Sequence, residues 1–152
     1  MSPALQRPHV LIVSNDRELT DFLGEGLVYA GFWTSTIANA VQALEVFRLR
    51  SFDVLVLDAA LGGIGALELL RRLRGRSDRA PATERTDIPI LVIAGSEAEL
   101  DPVAAGRDGA DQVMQAPLEL EDLAAEMTRL VTAWRAAHPD RHWADEAAQK
   151  ST

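Results

Sequence analysis

Three short apolar runs along the chain predict strands that are buried on both sides. They lie at residues 9–13, 52–57 and 88–93, and each is apolar at successive positions rather than at alternate ones. Strands with this pattern are covered on both faces, as in a parallel sheet. Residues 32–37 and 111–115 are weaker candidates. The chain therefore offers five strands to one sheet.

Helical patterns occupy the segments between these strands. Apolar residues recur at steps of three and four within residues 19–30, 40–47, 67–73 and 123–134, which is the spacing of one helix face. Residues 97–107 have the poorest helical pattern, because an Asp-Pro pair lies in their middle. Strands and helices that alternate in this way predict an α/β fold, a doubly wound five-stranded parallel sheet with helices on both faces in (βα)5 order.

Composition and charge narrow the possible functions. The chain has 152 residues, of which 47% are hydrophobic and 25% charged, and its net charge is −8. The absence of cysteine excludes disulfides, thiolate catalysis and cysteine-ligated metal sites. No apolar run approaches a membrane span and the first residues have no signal-peptide core, so we expect a cytoplasmic protein that contacts no membrane. The negative charge argues against binding of nucleic acid.

The charges are distributed unevenly along the chain. Residues 71–85 carry six arginines against two acids, whereas residues 97–126 carry nine acids against one arginine. Gly, Ser, Pro and Thr in the arginine-rich segment predict a mobile insertion at about residues 74–87. Trp143 is the one large apolar residue near the C-terminus, and it either folds back on the domain or marks a contact site. The expected division of the chain is an N-terminal extension at 1–8, one folded domain at 9–137 and a polar tail at 138–152.

Asp58 is the most suggestive polar residue of the sequence. It follows a buried strand directly and precedes a glycine-rich turn. Ligands of doubly wound folds bind beyond the carboxyl ends of the strands, so Asp58 is a candidate phosphoryl acceptor or metal ligand. Aspartate is also favoured in turns for its capping hydrogen bonds. Position alone leaves both roles open.

The order and spacing of several segments resemble those of a two-component response-regulator receiver (CheY-like) domain. The resemblance covers about residues 9–134 and is carried by residues 10–13, 31–32, 40–44, 52–61, 66–74, 88–93, 109–111 and Pro117. It implies flavodoxin-like topology and transfer of a phosphoryl group from a histidine kinase to an aspartate that Asp58 matches. It further implies Mg²⁺ between this aspartate, an acidic pair after the first strand and the main-chain carbonyl of Ala60. A lysine, a Ser or Thr, and an aromatic residue complete the implied site, since a phosphoryl group needs cationic and hydrogen-bonding partners.

Of these implied side chains, only Asp58 is present. The acidic pair is replaced by Ser14 and Asn15, with Asp16 beside them, and the positions of the Ser or Thr, the aromatic residue and the lysine hold Ala94, Val113 and Ala116. Mg²⁺ requires octahedral oxygen ligation, and a phosphoryl group would find no lysine here. We therefore expect a degenerate pseudo-receiver that binds no metal and no other cofactor.

Two functions remain open for such a domain. The leading hypothesis is a stand-alone receiver domain of phosphorelay signal transduction that is not an enzyme and acts by phosphorylation-independent protein–protein contact. Its partner would be a histidine kinase, a downstream regulator, or a second copy bound through the acidic face at residues 97–126, since receivers generally pair through their last two helices and fifth strand. The alternative is a functioning phosphoacceptor, Asp58, with Mg²⁺ held by Asp16 and Asp58.

Other classes of function are disfavoured. A flavodoxin-type cofactor domain needs a turn rich in Gly, Ser and Thr after the first strand, whereas residues 14–18 are acidic and lack glycine. His9, His138 and His142 have no paired base or nucleophile spacing, which argues against a hydrolase. Trp134 ends the last apolar stripe and is predicted to belong to the core.

Overall fold

The computed structural model describes residues 7–62, 65–77, 86–95 and 109–144. Most of the arginine-rich insertion, the weakly helical segment at 97–107 and the tail beyond residue 144 lie outside the described residues. None of the helices in the described part of the chain is both long enough and apolar enough to cross a bilayer.

Five parallel strands form one sheet in the order β2-β1-β3-β4-β5, which confirms the predicted fold class. The strands are β1 (His9–Val13), β2 (Trp33–Ile37), β3 (Val54–Asp58), β4 (Ile90–Ala94) and β5 (Gln112–Gln115). Strand β4 begins after Pro89, because proline has no N–H to give to the ladder. Strand β3 extends to Asp58, which pairs with Ile93. The aspartate predicted to follow the strand is therefore its last residue.

In the part of the chain that the structure describes, four helices cover the two faces of this sheet. They are α1 (Arg17–Tyr29), α2 (Ala40–Leu49), α3 (Gly65–Leu73) and α4 (Leu120–Ala137). Helix α1 begins after Asp16, whose Oδ1 accepts from the Leu19 N–H at 3.2 Å. Helix α2 begins after Asn39, whose Oδ1 accepts from the Gln42 N–H at 2.9 Å. Both side chains satisfy amides that the first turn of a helix leaves without a partner.

The core consists of two apolar layers, one on each face of the sheet. Helices α1 and α4 bury residues such as Leu23 and Met127 in one layer, and α2 and α3 bury residues such as Leu44 and Leu69 in the other. Strand β1 sends alternate side chains into the two layers. Covering on both faces is why the central strands are apolar at successive positions.

The chain beyond α4 lies against the body of the domain as far as residue 144. Asp53, buried at the start of β3, accepts from the His9 N–H at 2.7 Å and from the Ala144 N–H at 3.0 Å. Trp143, whose place the sequence left open, packs against the layer of α1 and α4. Trp134 is partly buried against the other layer, as predicted, and its indole N–H donates to the Asp87 carbonyl at 2.8 Å.

Candidate functional site

Asp58 lies at the carboxyl end of the sheet and is held by two hydrogen bonds. The Ser14 hydroxyl donates to Asp58 Oδ2 at 2.6 Å, and the Ala60 N–H donates to Asp58 Oδ1 at 2.9 Å. The strand register brings the two side chains together, because Val13 is paired with Leu57 and each polar residue comes next in its chain. Only 8% of Asp58 and 2% of Ser14 are exposed. The pair is thus a buried polar contact between β1 and β3.

Ser14 also connects Asp58 to the start of α1. Its oxygen accepts from the Asp16 N–H at 3.0 Å while its hydroxyl donates to Asp58. The carboxylate of Asp16 caps α1, and both Asn15 and Asp16 are exposed. One side chain therefore satisfies a backbone amide and a buried carboxylate at the same time.

A pocket of about 530 Å³ lies beside Asp58. Its polar lining comes from Asn15, Asp16 and Asp58, and its remaining lining residues are Leu19, Phe22, Ala60, Ile93, Gly95, Ala116, Pro117 and Leu118. None of these residues carries a positive charge. Most of the described lining is therefore apolar, and this apolar wall lies beside the two carboxyl groups of Asp16 and Asp58.

The pocket brings together four of the seven residues predicted for the site. Asn15, Asp16, Asp58 and Ala116 line it, and Ser14 contacts Asp58 from β1. Ala94 is fully buried at the end of β4, where its carbonyl accepts from the Ala116 N–H at 2.8 Å. Val113 packs into the layer of α2 and α3. Ala94 and Val113 are thus not among the residues that line the pocket.

The side chains of the pocket fit a Mg²⁺ ion poorly. No group of three His, Cys, Asp or Glu residues that could hold a metal occurs among the residues that the structure describes. Both oxygens of Asp58 already accept hydrogen bonds, and Asp16 caps a helix. Mg²⁺ demands near-ideal octahedral oxygen ligation, and the described lining offers only the carboxylates of Asp16 and Asp58 and the amide of Asn15, so water or phosphate would have to supply the rest of the coordination shell.

Two features of the site were not predicted from the sequence. The sequence predicted Ser14 only as a position where the acid implied by the family resemblance is replaced. In the structure its hydroxyl donates the hydrogen bond that holds Asp58. The apolar wall, to which Leu19, Phe22 and Leu118 contribute, was also missed. The signal for Ser14 was its position directly after β1, which becomes informative once β1 and β3 are known to be neighbours.

Some side chains in the described part of the two charged segments make contacts within the chain. Arg74 donates to Asp111 at 2.8 Å and to the Gly109 and Thr86 carbonyls at 2.9 Å. Burial lowers the pKa of Arg74, and Asp111 opposes this effect. Glu126 pairs with Arg129, whose hydrogen bond lowers the pKa of that carboxyl.

The remaining described acids of the predicted acidic face lie at the start of α4. Glu119, Glu121 and Asp122 are exposed there. Acids in the first turn of a helix are stabilised by the positive end of its dipole. The described part of the segment therefore does not require a partner to account for its charge.

The three histidines do not form a site in the described part of the chain. His9 Nε2 contacts the Ser35 hydroxyl at 2.8 Å at the start of β1. His138 stacks on Trp134 with 4.3 Å between the ring centroids. His142 lines a groove at the opposite end of the sheet from Asp58.

Comparison with known proteins identifies relatives of this chain. A family model described as "Response regulator receiver domain" matches residues 10–128. Response regulator MprA of Mycobacterium tuberculosis (strain ATCC 25618 / H37Rv) is 32% identical over 122 residues, which are 80% of this chain and 50% of the relative. MprA of Mycobacterium sp. (strain KMS) is 30% identical over 131 residues, 86% of this chain and 52% of the relative. The chain spans about half the length of the curated relatives it matches.

Solved structures of receiver domains share the fold. The CheY-like receiver domain protein from Methanospirillum hungatei JF-1 has a TM-score of 0.74 at 19% identity, with 87% of this chain and 99% of that chain covered. A putative response regulator from Chloroflexus aurantiacus J-10-fl has a TM-score of 0.72 at 24% identity, with 84% and 99% covered. The family model covers most of the sequence and the strand order agrees with it, and this chain therefore belongs to the response regulator receiver domain family of two-component systems.

Proposed function

We propose that this receiver domain is a pseudo-receiver that regulates a protein partner by contact, without phosphorylation of Asp58. The hydrogen bond of 2.6 Å from Ser14 to Asp58 carries the proposal. A neutral hydroxyl satisfies the buried carboxylate at a position where the family resemblance implies a metal-binding acid. The carboxylate therefore has a partner in the folded domain that needs no metal.

The charges around Asp58 also support this proposal. Phosphorylation adds a charge of about −1.5 to −2, and enzymes stabilise a transferring phosphoryl group with metal ions and cationic side chains. Ala116 stands where the family resemblance implies a lysine, and no described residue lining the pocket is Lys, Arg or His. Phosphoryl transfer to Asp58 would therefore place negative charge in an acidic pocket.

The residues that would respond to phosphorylation are missing as well. Ala94 has no hydroxyl and Val113 has no ring, and neither lines the pocket. A change at Asp58 would thus find no hydroxyl at position 94 and no ring at position 113 to move. We propose that the domain catalyses no reaction and that its partner is a histidine kinase or a downstream regulator in the cytoplasm.

One observation favours the alternative of a functioning phosphoacceptor. Asp16 and Asp58 line the same pocket, and Mg²⁺ is often bound by one or two carboxylates together with phosphate. In that case Asp58 would be phosphorylated with Asp16 as the second metal ligand. The two proposals differ in whether Mg²⁺ binds.

A set of melting curves tests the proposal. The protein is melted alone, with millimolar Mg²⁺, and with Mg²⁺ plus beryllofluoride, and we expect superimposable curves. A ligand at a hundredfold excess over its dissociation constant would stabilise the folded state by about 2.7 kcal/mol. Stabilisation that is lost in Asp58→Asn and Asp16→Asn, but kept in the control Asp122→Asn, whose residue is not among the described lining of the pocket, would contradict the proposal and support the phosphoacceptor.

A further inference from the structure

We infer that the pocket beside Asp58 is a binding site for a lysine side chain of a protein partner. The inference rests on the proposed function, because it names the chemistry by which the pseudo-receiver would recognise its partner. It follows from the charge of the pocket, the nature of its wall and the hydrogen bonds already made by Asp58.

The negative charge of the pocket favours a cation as its ligand. Asp58 and Asp16 line it, and its described lining contains no positive side chain. A carboxylate has about four lone-pair positions, and the hydrogen bonds from Ser14 and Ala60 use two of those of Asp58. Because buried charges are normally paired, a carboxylate that is 8% exposed and has spare acceptor positions favours a positively charged ligand.

The wall of the pocket favours an organic cation over a metal ion. Leu19, Phe22, Ile93 and Leu118 present apolar surface, which offers Mg²⁺ and its bound waters no ligands. A lysine can bury its methylene stem against such a wall while its ammonium group reaches a carboxylate. Ala116 lines the pocket at the position where the family resemblance implies a lysine. Its small side chain leaves space there for a lysine from a partner.

The hydrogen bonds of Asp58 favour lysine over arginine. Arginine binds carboxylates best through two parallel hydrogen bonds, one to each oxygen. Each oxygen of Asp58 already accepts one hydrogen bond, from Ser14 or from Ala60. An ammonium group acts as a point charge and needs only one free lone pair.

The source of the lysine that we propose is another protein, because this chain has almost none of its own. Lys150 is the only lysine among the 152 residues. Phe22, 47% exposed at the pocket, gives the backbone around a partner's lysine an apolar surface to contact. A basic partner also complements the net charge of −8, and complementary charge aids association.

A peptide titration followed by NMR tests the inference. The ¹⁵N-labelled protein is titrated with the blocked peptide acetyl-Gly-Lys-Gly-amide, and its neutral match carries Nε-acetyl-lysine. We expect saturable shifts at Asn15, Ala60 and Ala116 with the lysine peptide. The acetylated peptide and the variant Asp58→Asn should each weaken binding about tenfold or more, as loss of a charge-assisted hydrogen bond predicts. Ala116→Lys, which supplies the cation within the chain, should abolish binding, and Asp122→Asn should leave it unchanged.

Several outcomes would overturn the inference. They are an absence of saturable shifts, equal affinity for both peptides, and unchanged affinity in Asp58→Asn. Tighter peptide binding by Lys150→Ala would also overturn it, because the chain's own lysine would then compete for the pocket.

The melting curves keep this inference separate from the proposed function. If Mg²⁺ and beryllofluoride stabilise the protein, the proposed function fails and this inference fails with it. If they do not and the lysine peptide does not bind either, the proposed function stands and the lysine site alone is wrong.

Discussion

Ser14 donates its hydroxyl to a carboxylate that has little contact with water. The variant Ser14→Ala removes this donor and leaves Asp58 with the Ala60 amide. We expect it to lower the free energy of unfolding by about 1–3 kcal/mol, the penalty for leaving a buried polar group without its partner. Urea unfolding measures the loss. In an Asp58→Ala background the same substitution should have much less effect, and an equal loss in both backgrounds would contradict the pairing.

Gly109 allows the stem of Arg74 to pass close to the backbone. Its φ angle is +109°, and an added Cβ would lie 2.3 Å from Arg74 Cγ. We expect Gly109→Ala to destabilise the protein, since the strained conformation alone is worth about 1–3 kcal/mol and the clash adds to it. Gly31→Ala is the matched control for urea unfolding, because its φ is +104° and nothing lies within 4 Å of an added Cβ. Equal losses in the two variants would show that the contact with Arg74 does not matter.

Individual residues of the site differed in how well the sequence could predict them. Asp58 was predictable because an acid at the end of a buried strand stands where this fold binds ligands. The contact between Ser14 and Asp58 was not, because it depends on which strands are neighbours and 44 positions separate the two residues. The apolar wall could not be predicted either, since Phe22 and Leu118 line the same pocket only after α1 and the segment before α4 have packed.

The close approach of helices α1 and α4 depends on a glycine. A Cβ on Gly26 would lie 2.5 Å from Leu120 Cδ2, whereas a Cβ on Gly24 would meet only Thr36 Cγ2 at 3.9 Å. Alanine is about 1 kcal/mol better than glycine inside a helix, so we expect Gly24→Ala to raise the stability. Overpacking typically destabilises by about 1–3 kcal/mol, so we expect Gly26→Ala to lower it. Chemical denaturation of both variants measures the difference, and an equal gain would show that Leu120 can move away.

Asp53 holds the segment after α4 against the sheet through hydrogen bonds. Its carboxylate accepts from the amides of His9 and Ala144. We expect Asp53→Ala to reduce stability by about 1–3 kcal/mol for each buried amide that loses its acceptor. A chain ending at residue 137 lacks Ala144, so the same substitution should have a smaller effect there when both are measured by urea unfolding. An identical effect in the long and the short chain would contradict a role for Ala144.

An exposed ion pair in the same segment should matter much less. Arg141 donates to Asp87 at 2.7 Å, and both side chains are about half exposed. Such pairs contribute about 0–1 kcal/mol. The attachment of residues 138–144 therefore depends on the buried contacts of Asp53, Trp143 and Ala144 rather than on surface charge.

Whole elements were easier to predict than their ends. The three strongest apolar runs all became central strands, because burial on both faces leaves a strong signal in the sequence. The observed ends of these strands differ from the predicted ones. Strand β4, for example, begins after Pro89 rather than at residue 88. The place of Trp143 was left open because its packing requires the chain to fold back onto the layer of α1 and α4, and α1 is distant in the sequence.

For the molecule as a whole, the order of its elements identifies the family, whereas the change of mechanism that we propose rests on single positions of the site. The order of strands and helices depends on many residues, so single substitutions change it little. The proposed function depends on a few side chains beside Asp58 and on the partner that they would recognise. The sequence therefore predicts the fold well and the recognised partner only through the chemistry of the pocket.

Restoring the family's residues should make the stability of the whole domain depend on metal. We expect Ser14→Asp with Asn15→Asp to be less stable than the unsubstituted protein at neutral pH, because like charges then crowd Asp58. This repulsion raises the pKa of a carboxyl in the folded state, so the deficit should shrink as the pH falls through that raised value. Adding Mg²⁺ should remove most of the deficit, and adding Ala116→Lys should do so in part without metal. Urea unfolding at several pH values, with and without Mg²⁺, measures the difference in the free energy of unfolding between the variant and its parent. A double variant as stable as its parent at neutral pH without metal would mean that Ser14 and Asn15 do not relieve any repulsion at the site.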